Sequence, residues 1–337
     1  MNKTQVHKMM EECLFPDTCE NSKLLETHIS WVVLTDQFAF KIKRPVKHSF
    51  LDFSTFEKRK YFCEQEVELN SRLAPEMYIG VFPITTNMFD PGIPNEENQI
   101  IDFALQMLRM DNEKEMDKLL KDNRVKEISI KRLAEIIAKF HKNARVIRDA
   151  FDTSGFQDEY ADILTVSEII NKKIGKSWQD KILSCIEKSN SYLNASRSLM
   201  NHRIIKGFHR DCHGDLNASN IFLYDDPVVF DCIEFNKKFR HIDILNDIAF
   251  LCVDIDFYEK KELSNLFYKH YQESLGEDQD DFSRGLFLYY KSYRANIRAK
   301  VTAISLNNTD DNTEKVTHIK KYIELMNEYC ENIPHSG

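Results

Sequence analysis

One stretch of this chain limits the folds open to it more than any other. A polar island at 209–220 is followed by two short apolar runs, 221–224 and 228–230, on either side of Asp225-Asp226-Pro227, and then by Asp231. Proline is welcome in a turn, where its missing N–H is not needed, so the two runs predict a β-hairpin. Asn220 and Asp231 are equidistant from the middle of that turn. Antiparallel pairing therefore predicts them opposite one another, about 5 Å apart at Cβ. An amide oxygen and a carboxylate so placed suit Mg²⁺, which takes a few protein oxygens and completes its shell with phosphate and water.

Glycine is scarce, nine in 337 residues, and no two stand two, three or five apart. That excludes G-x-G-x-x-G and the P-loop, so phosphate has to be handled without a glycine cradle. The chain carries 54 acidic and 46 basic residues, a formal charge of −8, which disfavours nucleic acid as a partner. No apolar run approaches the ~20 residues of a membrane span. The charged N-terminus lacks the apolar core of a signal peptide, so a cytoplasmic protein with no membrane partner is expected. The eight cysteines show no C-x-x-C pair and sit mostly in apolar segments. Buried free thiols are expected rather than zinc or a disulfide framework.

Strand-like segments at 23–26, 31–34, 38–42, 81–85 and 99–107 share the first third of the chain with helices at 4–14 and 55–73. Phe56, Phe62, Val67, Leu69 and Leu73 are the expected apolar contacts of the second helix. Beyond Arg109 the pattern is helical, at 112–122, 129–145 and on to about 202, and again from 242 to the end. Loops are expected at 87–98 and 307–313. The outline is an α+β chain of two lobes, a strand-rich 1–109 and a helical 110–337.

Asp215 precedes Asn220 by five residues on the same loop. A carboxylate there can accept a hydroxyl proton while a metal holds phosphate. His209-Arg210-Asp211 spells a similar triplet, but Leu216 stands five residues beyond Asp211 and binds no metal, so the spacing selects Asp215. The crowding of His209, Asp211, Cys212 and His213 into five residues is poor geometry for zinc.

The run His213-Gly214-Asp215-Leu216-Asn217-Ala218-Ser219-Asn220, with Asp231 after the hairpin, resembles the aminoglycoside phosphotransferase and choline kinase-like group, small-molecule relatives of the protein kinases. Over residues 20–300 the chain is similar to a bacterial branch of phosphotransferase-like proteins, through Thr27-His28-Ile29-Ser30 and Phe50-Leu51-Asp52-Phe53-Ser54-Thr55. The resemblance implies a protein-kinase-like fold with a hinge near residue 109. It also implies ATP- and Mg²⁺-dependent phosphoryl transfer to a hydroxyl of a small molecule, with Asp215 acting on the acceptor and Asn220 and Asp231 holding the metal. His213 is expected to be structural, and Asp243 and Asp247 to brace the loop.

The resemblance further implies a strand lysine and a helix glutamate. Phe38-Ala39-Phe40-Lys41 matches Val-Ala-Ile-Lys, and period-2 alternation puts Ala39 and Lys41 on one face. Lys43 shares that face as a rival. Glu66 is the expected partner, with Glu64 and Glu68 close by. Thr27 and Ser30 stand where a glycine-rich loop would cover the phosphates, and the hinge that reads the base through its backbone falls near Leu105 to Leu108, with Gln106 and Leu108 as the expected contacts. Glu234 is read either as a further metal ligand or as a solvated or capping carboxylate. Lys291, Arg294 and Arg298 form a helical stripe, either an edge paired with another helix or an anion-binding wall at the acceptor site. The second reading favours a neutral or anionic acceptor. A nucleotide-binding regulatory pseudokinase and a protein kinase are the alternatives in other classes.

Overall fold

The computed structural model describes residues 1–85, 99–276, 281–306 and 312–334. The loop expected at 87–98 and most of that at 307–313 lie outside them. The chain divides into two compact units. The first comprises 1–115 together with 220–224 and 228–239, and the second comprises 116–219, 225–227 and 240–337.

The first unit opens with helix α1 (Lys3–Glu11), followed by strands β1 (Lys23–Glu26), β2 (Ser30–Leu34) and β3 (Phe38–Lys43). A small ribbon, β4 (Lys47–His48) with β5 (Leu51–Asp52), precedes helix α2 (Phe56–Asn70), β6 (Tyr78–Thr85) and β7 (Ile100–Leu108). The five long strands make one antiparallel sheet in the order β1-β2-β3-β7-β6. On one face Phe40 and Ile42 of β3 and Val33 of β2 pack with Val6 and Met9 of α1. Alternation along β3 puts Ala39, Lys41 and Lys43 on the other face.

The inward stripe of α2 differs from the one that hydropathy suggests. The buried residues are Arg59, Cys63, Glu66, Leu69 and Asn70, so of the expected apolar contacts only Leu69 is fully inside, and three of the five are polar. Each polar member has an interior partner. Arg59 Nε donates to Asp102 Oδ1 at 2.9 Å, Glu66 accepts from two lysines, and Asn70 Oδ1 accepts from the Cys232 N–H at 2.8 Å. The helix is placed largely by polar groups, which an apolar periodicity does not register.

The second unit is helical. It holds α3 (Met116–Lys121), α4 (Glu127–Asn143), α5 (Thr153–Ala161), α6 (Ser167–Ile174), α7 (Lys176–Ala195) and α8 (Arg197–Lys206). Strand β8 (His209–Asp211) then leads into the loop that ends at the hairpin of β9 (Ile221–Phe222) and β10 (Val228–Val229), which belongs to the first unit. Strand β11 (His241–Asp243) pairs with β8 and runs into α9 (Ile244–Phe257), α10 (Lys261–Leu275), α11 (Asp281–Ile304) and α12 (Thr313–Glu331). Every residue of α9 is buried, which accounts for its long apolar run. Among the described residues no helix is long and apolar enough to cross a membrane.

Six cysteines are buried free thiols, but Cys13 and Cys19 form a disulfide with Cα atoms 5.7 Å apart. The expectation of free thiols fails there because the short connection from α1 toward β1 folds back on itself around Asp17. That carboxylate accepts from the Thr35 hydroxyl and the Gln37 N–H. Such a bridge is uncommon in a reducing compartment.

Candidate active site

Within the first unit, five charged side chains alternate in sign. Asp231 Oδ1 lies 2.6 Å from Lys41 Nζ, which is 2.7 Å from Glu66 Oε1. Glu66 Oε2 lies 2.7 Å from Lys43 Nζ, which also bonds Glu234. The series opens to solvent at one end. The Asp231 side chain is 40% exposed and Lys41 12%, whereas Lys43 is 1% exposed and Glu66 fully buried. Burial alone would lower the Lys41 ammonium, but Asp231 and Glu66 outweigh it and hold it well above the usual lysine range. Burial pushes the Glu234 carboxyl up against the opposing pull of Lys43. The two rival lysines therefore both reach Glu66 and differ in exposure. Of the neighbouring acids, Glu64 pairs with Lys60 on the surface and Glu68 accepts from Gln65.

The hairpin register is one residue away from the sequence expectation. Val229 pairs with Ile221 and Val228 with Phe222, and the Phe230 N–H donates to Asn220 O at 3.0 Å. Asn220 therefore faces Phe230 rather than Asp231. The five-residue connection 223–227 centres on Asp225, which shifts the axis by half a residue. Asp231 then leaves the ladder with φ +62°, a left-handed conformation that aspartate tolerates better than most residues. Its N–H donates to the Tyr78 hydroxyl at 3.2 Å. The donor set of a buried amide and a half-open carboxylate that already attracts an ammonium suits a hard cation.

Other positions expected to meet nucleotide are arranged differently. The Thr27 hydroxyl accepts from the Ser30 N–H at 2.8 Å and so closes its own turn. The Ser30 side chain is buried, with a hydroxyl that finds no partner among the described residues. Neither hydroxyl is presented as a phosphate cover. Gln106 lies on the central strand β7, paired with Phe40 on one side and Gly80 on the other, so its backbone is committed to the sheet. The Leu108 N–H donates to Met77 O at 2.8 Å. A base-reading edge at these two residues is corrected by the fact that the strand runs through them.

In the second unit the loop 213–219 is held by acids from α9. Asp247 accepts from the His213 N–H at 3.0 Å, the Gly214 N–H at 2.8 Å and His141 Nε2 at 3.0 Å. Burial would raise the Asp247 carboxyl, but His141 and His213 more than offset it and bring it to about 2. His213 is itself buried, and its Nδ1 accepts from the Asp215 N–H at 3.3 Å. Asp254 accepts from the Ala218 N–H at 3.1 Å. Asp215 is left half-buried among buried neighbours. Asp211, the alternative aspartate, is committed to Arg240 at 2.8 Å.

One expectation for this unit is overturned, and one pair of alternatives is decided in favour of helix pairing. Asp243 ion-pairs with Arg203 at 2.6 Å and caps α9 through the Leu245 N–H, so it anchors the helix start rather than the loop. The basic stripe of α11 is paired. Lys291 meets Asp256 at 2.5 Å, Arg298 meets Asp254 at 3.0 Å, and Arg294 donates to Asn246 Oδ1 at 2.7 Å and Gly214 O at 3.3 Å. Arg294 is buried, so it supports the loop from behind, and the argument for an anionic acceptor loses its basis.

Sequence reasoning also missed Asn70, Tyr78, His141, Asn246 and Asp254. Each acts on a residue at least 36 positions away, and none belongs to a motif. His141, Cys212 and Asp247 form a buried trio of metal-ligand type. Their donor atoms are occupied by hydrogen bonds: His141 Nδ1 with the Tyr271 hydroxyl, His141 Nε2 with Asp247, and Cys212 Sγ with Ile242 O.

This architecture is the two-lobed protein-kinase-like fold found in small-molecule kinases. An amicoumacin kinase in complex with AMP-PNP, Ca²⁺ and Ami superposes with a TM-score of 0.58 at 12% identity, over 97% of this chain and 94% of that one. A choline kinase from Cryptosporidium parvum gives 0.54 at 15% identity, over 96% of both chains. A GDP complex of an aminoglycoside 2′-phosphotransferase gives 0.51 at 14% identity, over 98% of both. By sequence, an uncharacterised protein of Mycobacterium tuberculosis, and likewise one of Mycobacterium bovis, is 32% identical over 285 residues, 83% of this chain. The chain spans about half, 54%, of the length of these curated relatives. No family model matches the chain.

Proposed function

We propose that this chain is a phosphotransferase that moves the γ-phosphate of ATP, with Mg²⁺, to a hydroxyl of a small molecule. The observation that supports this most is Lys41, placed between the buried Glu66 and the half-open Asp231 on the strand face that also carries Ala39. Lys41 would bind the α- and β-phosphates while Glu66 keeps it oriented. Asn220 and Asp231 would hold Mg²⁺, which when bound neutralises phosphate oxygens. Asp215 would orient the acceptor hydroxyl and take its proton. The test is ADP release across a panel of neutral, cationic and anionic hydroxyl compounds, with wild type beside Asp215→Ala. Turnover is expected to fall by about 10²–10⁴-fold in the variant. Equal rates would remove Asp215 from the mechanism.

A regulatory nucleotide-binding protein is the second reading. It is favoured by the turn at Thr27, which is closed on itself where a phosphate-covering loop would be expected. Tight nucleotide binding with no ADP release over the whole panel would select it.

A further inference from the structure

Lys43 and Glu234 have no part in the chemistry proposed above, yet they form a deeply buried ion pair, with side chains 1% and 4% exposed. Neither is placed to touch a ligand. Glu234 lies three residues after Asp231, and Lys43 two residues after Lys41. Through Glu66, the Lys43 ammonium joins three elements: strand β3, helix α2 and the segment that carries Asp231.

That segment needs holding. Asp231 sits at φ +62° just beyond the Val228–Val229 strand. Its own N–H is tied to the Tyr78 hydroxyl, and the Cys232 N–H to Asn70 Oδ1. Lys41 also reaches Asp231, but a lysine that serves phosphates cannot serve as a permanent anchor for a metal ligand. Lys43 is free of that conflict, because it bonds the other oxygen of Glu66 and stays inside.

We propose that Lys43 and Glu234 are positioning residues for Asp231: their buried pair fixes the segment that presents the metal-binding carboxylate, independently of whether Lys41 is engaged. This rests on the phosphotransferase reading of Asp231. A group that orients a metal ligand from behind typically matters by about 10–100-fold in metal affinity.

The test uses Glu234→Gln, Glu234→Asp and the double variant Lys43→Met/Glu234→Gln. Three quantities are read. They are the Mg²⁺ concentration that half-saturates the thermal shift given by a non-hydrolysable ATP analogue, the affinity for that analogue in EDTA, and the denaturant midpoint. Glu234→Gln should raise the half-saturating Mg²⁺ by about tenfold or more and leave the affinity in EDTA within about twofold. Glu234→Asp, which keeps the charge, should fall between and covers the case in which the glutamine variant does not fold. The double variant also removes the Lys43 ammonium, which Glu66 still pairs in Glu234→Gln, and should lower the denaturant midpoint further without recovering Mg²⁺ dependence. Unchanged Mg²⁺ dependence in Glu234→Gln, or its recovery in the double variant, would overturn the positioning role alone. Absence of any Mg²⁺-dependent shift in wild type would overturn the functional reading and this inference with it.

Discussion

Lys41 Nζ lies 2.6 Å from Asp231 Oδ1, so the side chain assigned to phosphate and the side chain assigned to metal neutralise each other. A cation arriving at Asp231 competes with an ammonium already there. The pair therefore links the two binding events before any ligand is present.

Lys41→Met should accordingly have opposite effects under two conditions. Without nucleotide, the variant should bind Mn²⁺ more tightly than wild type, by about tenfold if the pair contributes ~1.4 kcal/mol. With nucleotide analogue present, the order should reverse, because the phosphate contact is lost. Mn²⁺ titration followed by electron paramagnetic resonance reads both. Weaker Mn²⁺ binding under both conditions would mean that Lys41 does not compete for Asp231.

The depressed Asp247 carboxyl makes a pH prediction. Its folded value of about 2 lies below the ordinary 3.8, so the stability it contributes is present above about pH 4 and lost as pH falls through 2. The size is on the order of 2 kcal/mol. Denaturant unfolding at pH 4 and pH 2 should show this loss in wild type and a smaller one in Asp247→Asn. Identical pH dependence in both proteins would remove Asp247 as the source.

Arg294→Ala should act on stability and turnover, not on the choice of acceptor. Truncation leaves Asn246 Oδ1 and Gly214 O without their buried donor, at about 1–3 kcal/mol. The ratio of rates for anionic and cationic compounds should stay unchanged. A selective loss of anionic acceptors would restore Arg294 to the acceptor site.

The parts of the site legible in the sequence are those set by short spacing. Asp215, Asn220 and Asp231 fall within 17 positions, and Asp211 could be set aside from Leu216 alone. Lys41 and Ala39 followed from strand alternation. What was not legible depends on which distant polar groups meet. Asp243 and Asp247 stand four apart on one helix entry, yet only the second turns toward the loop; the first is held by Arg203, 40 residues earlier in the chain. The α11 stripe left open whether it pairs with another helix, and nothing in it named Asp254 and Asp256, two residues apart on α9, as the acids that absorb Arg298 and Lys291. The half-residue shift of the hairpin came from a loop whose odd length was hidden by the apolar Leu223.

The Cys13–Cys19 bridge closes a loop of six residues' separation. On chain entropy alone its removal should lower stability by about 2 kcal/mol. Denaturant unfolding of Cys13→Ser/Cys19→Ser beside oxidised and reduced wild type checks this, with the variant expected to match the reduced protein. A midpoint equal to that of the oxidised protein would show that the bridge adds nothing.

The first unit draws its last segment from residues 228–239, long after its sheet ends near residue 108. During synthesis, at ~5–20 residues per second, the 124 positions from 115 to 239 take roughly 6–25 s to emerge. Over that interval Lys41 and Lys43 have Glu66 but neither Asp231 nor Glu234, so a site that is finally net acidic is first net basic. The nascent sheet thus waits with an excess of positive charge, and the arrival of the hairpin segment supplies the acids that balance it.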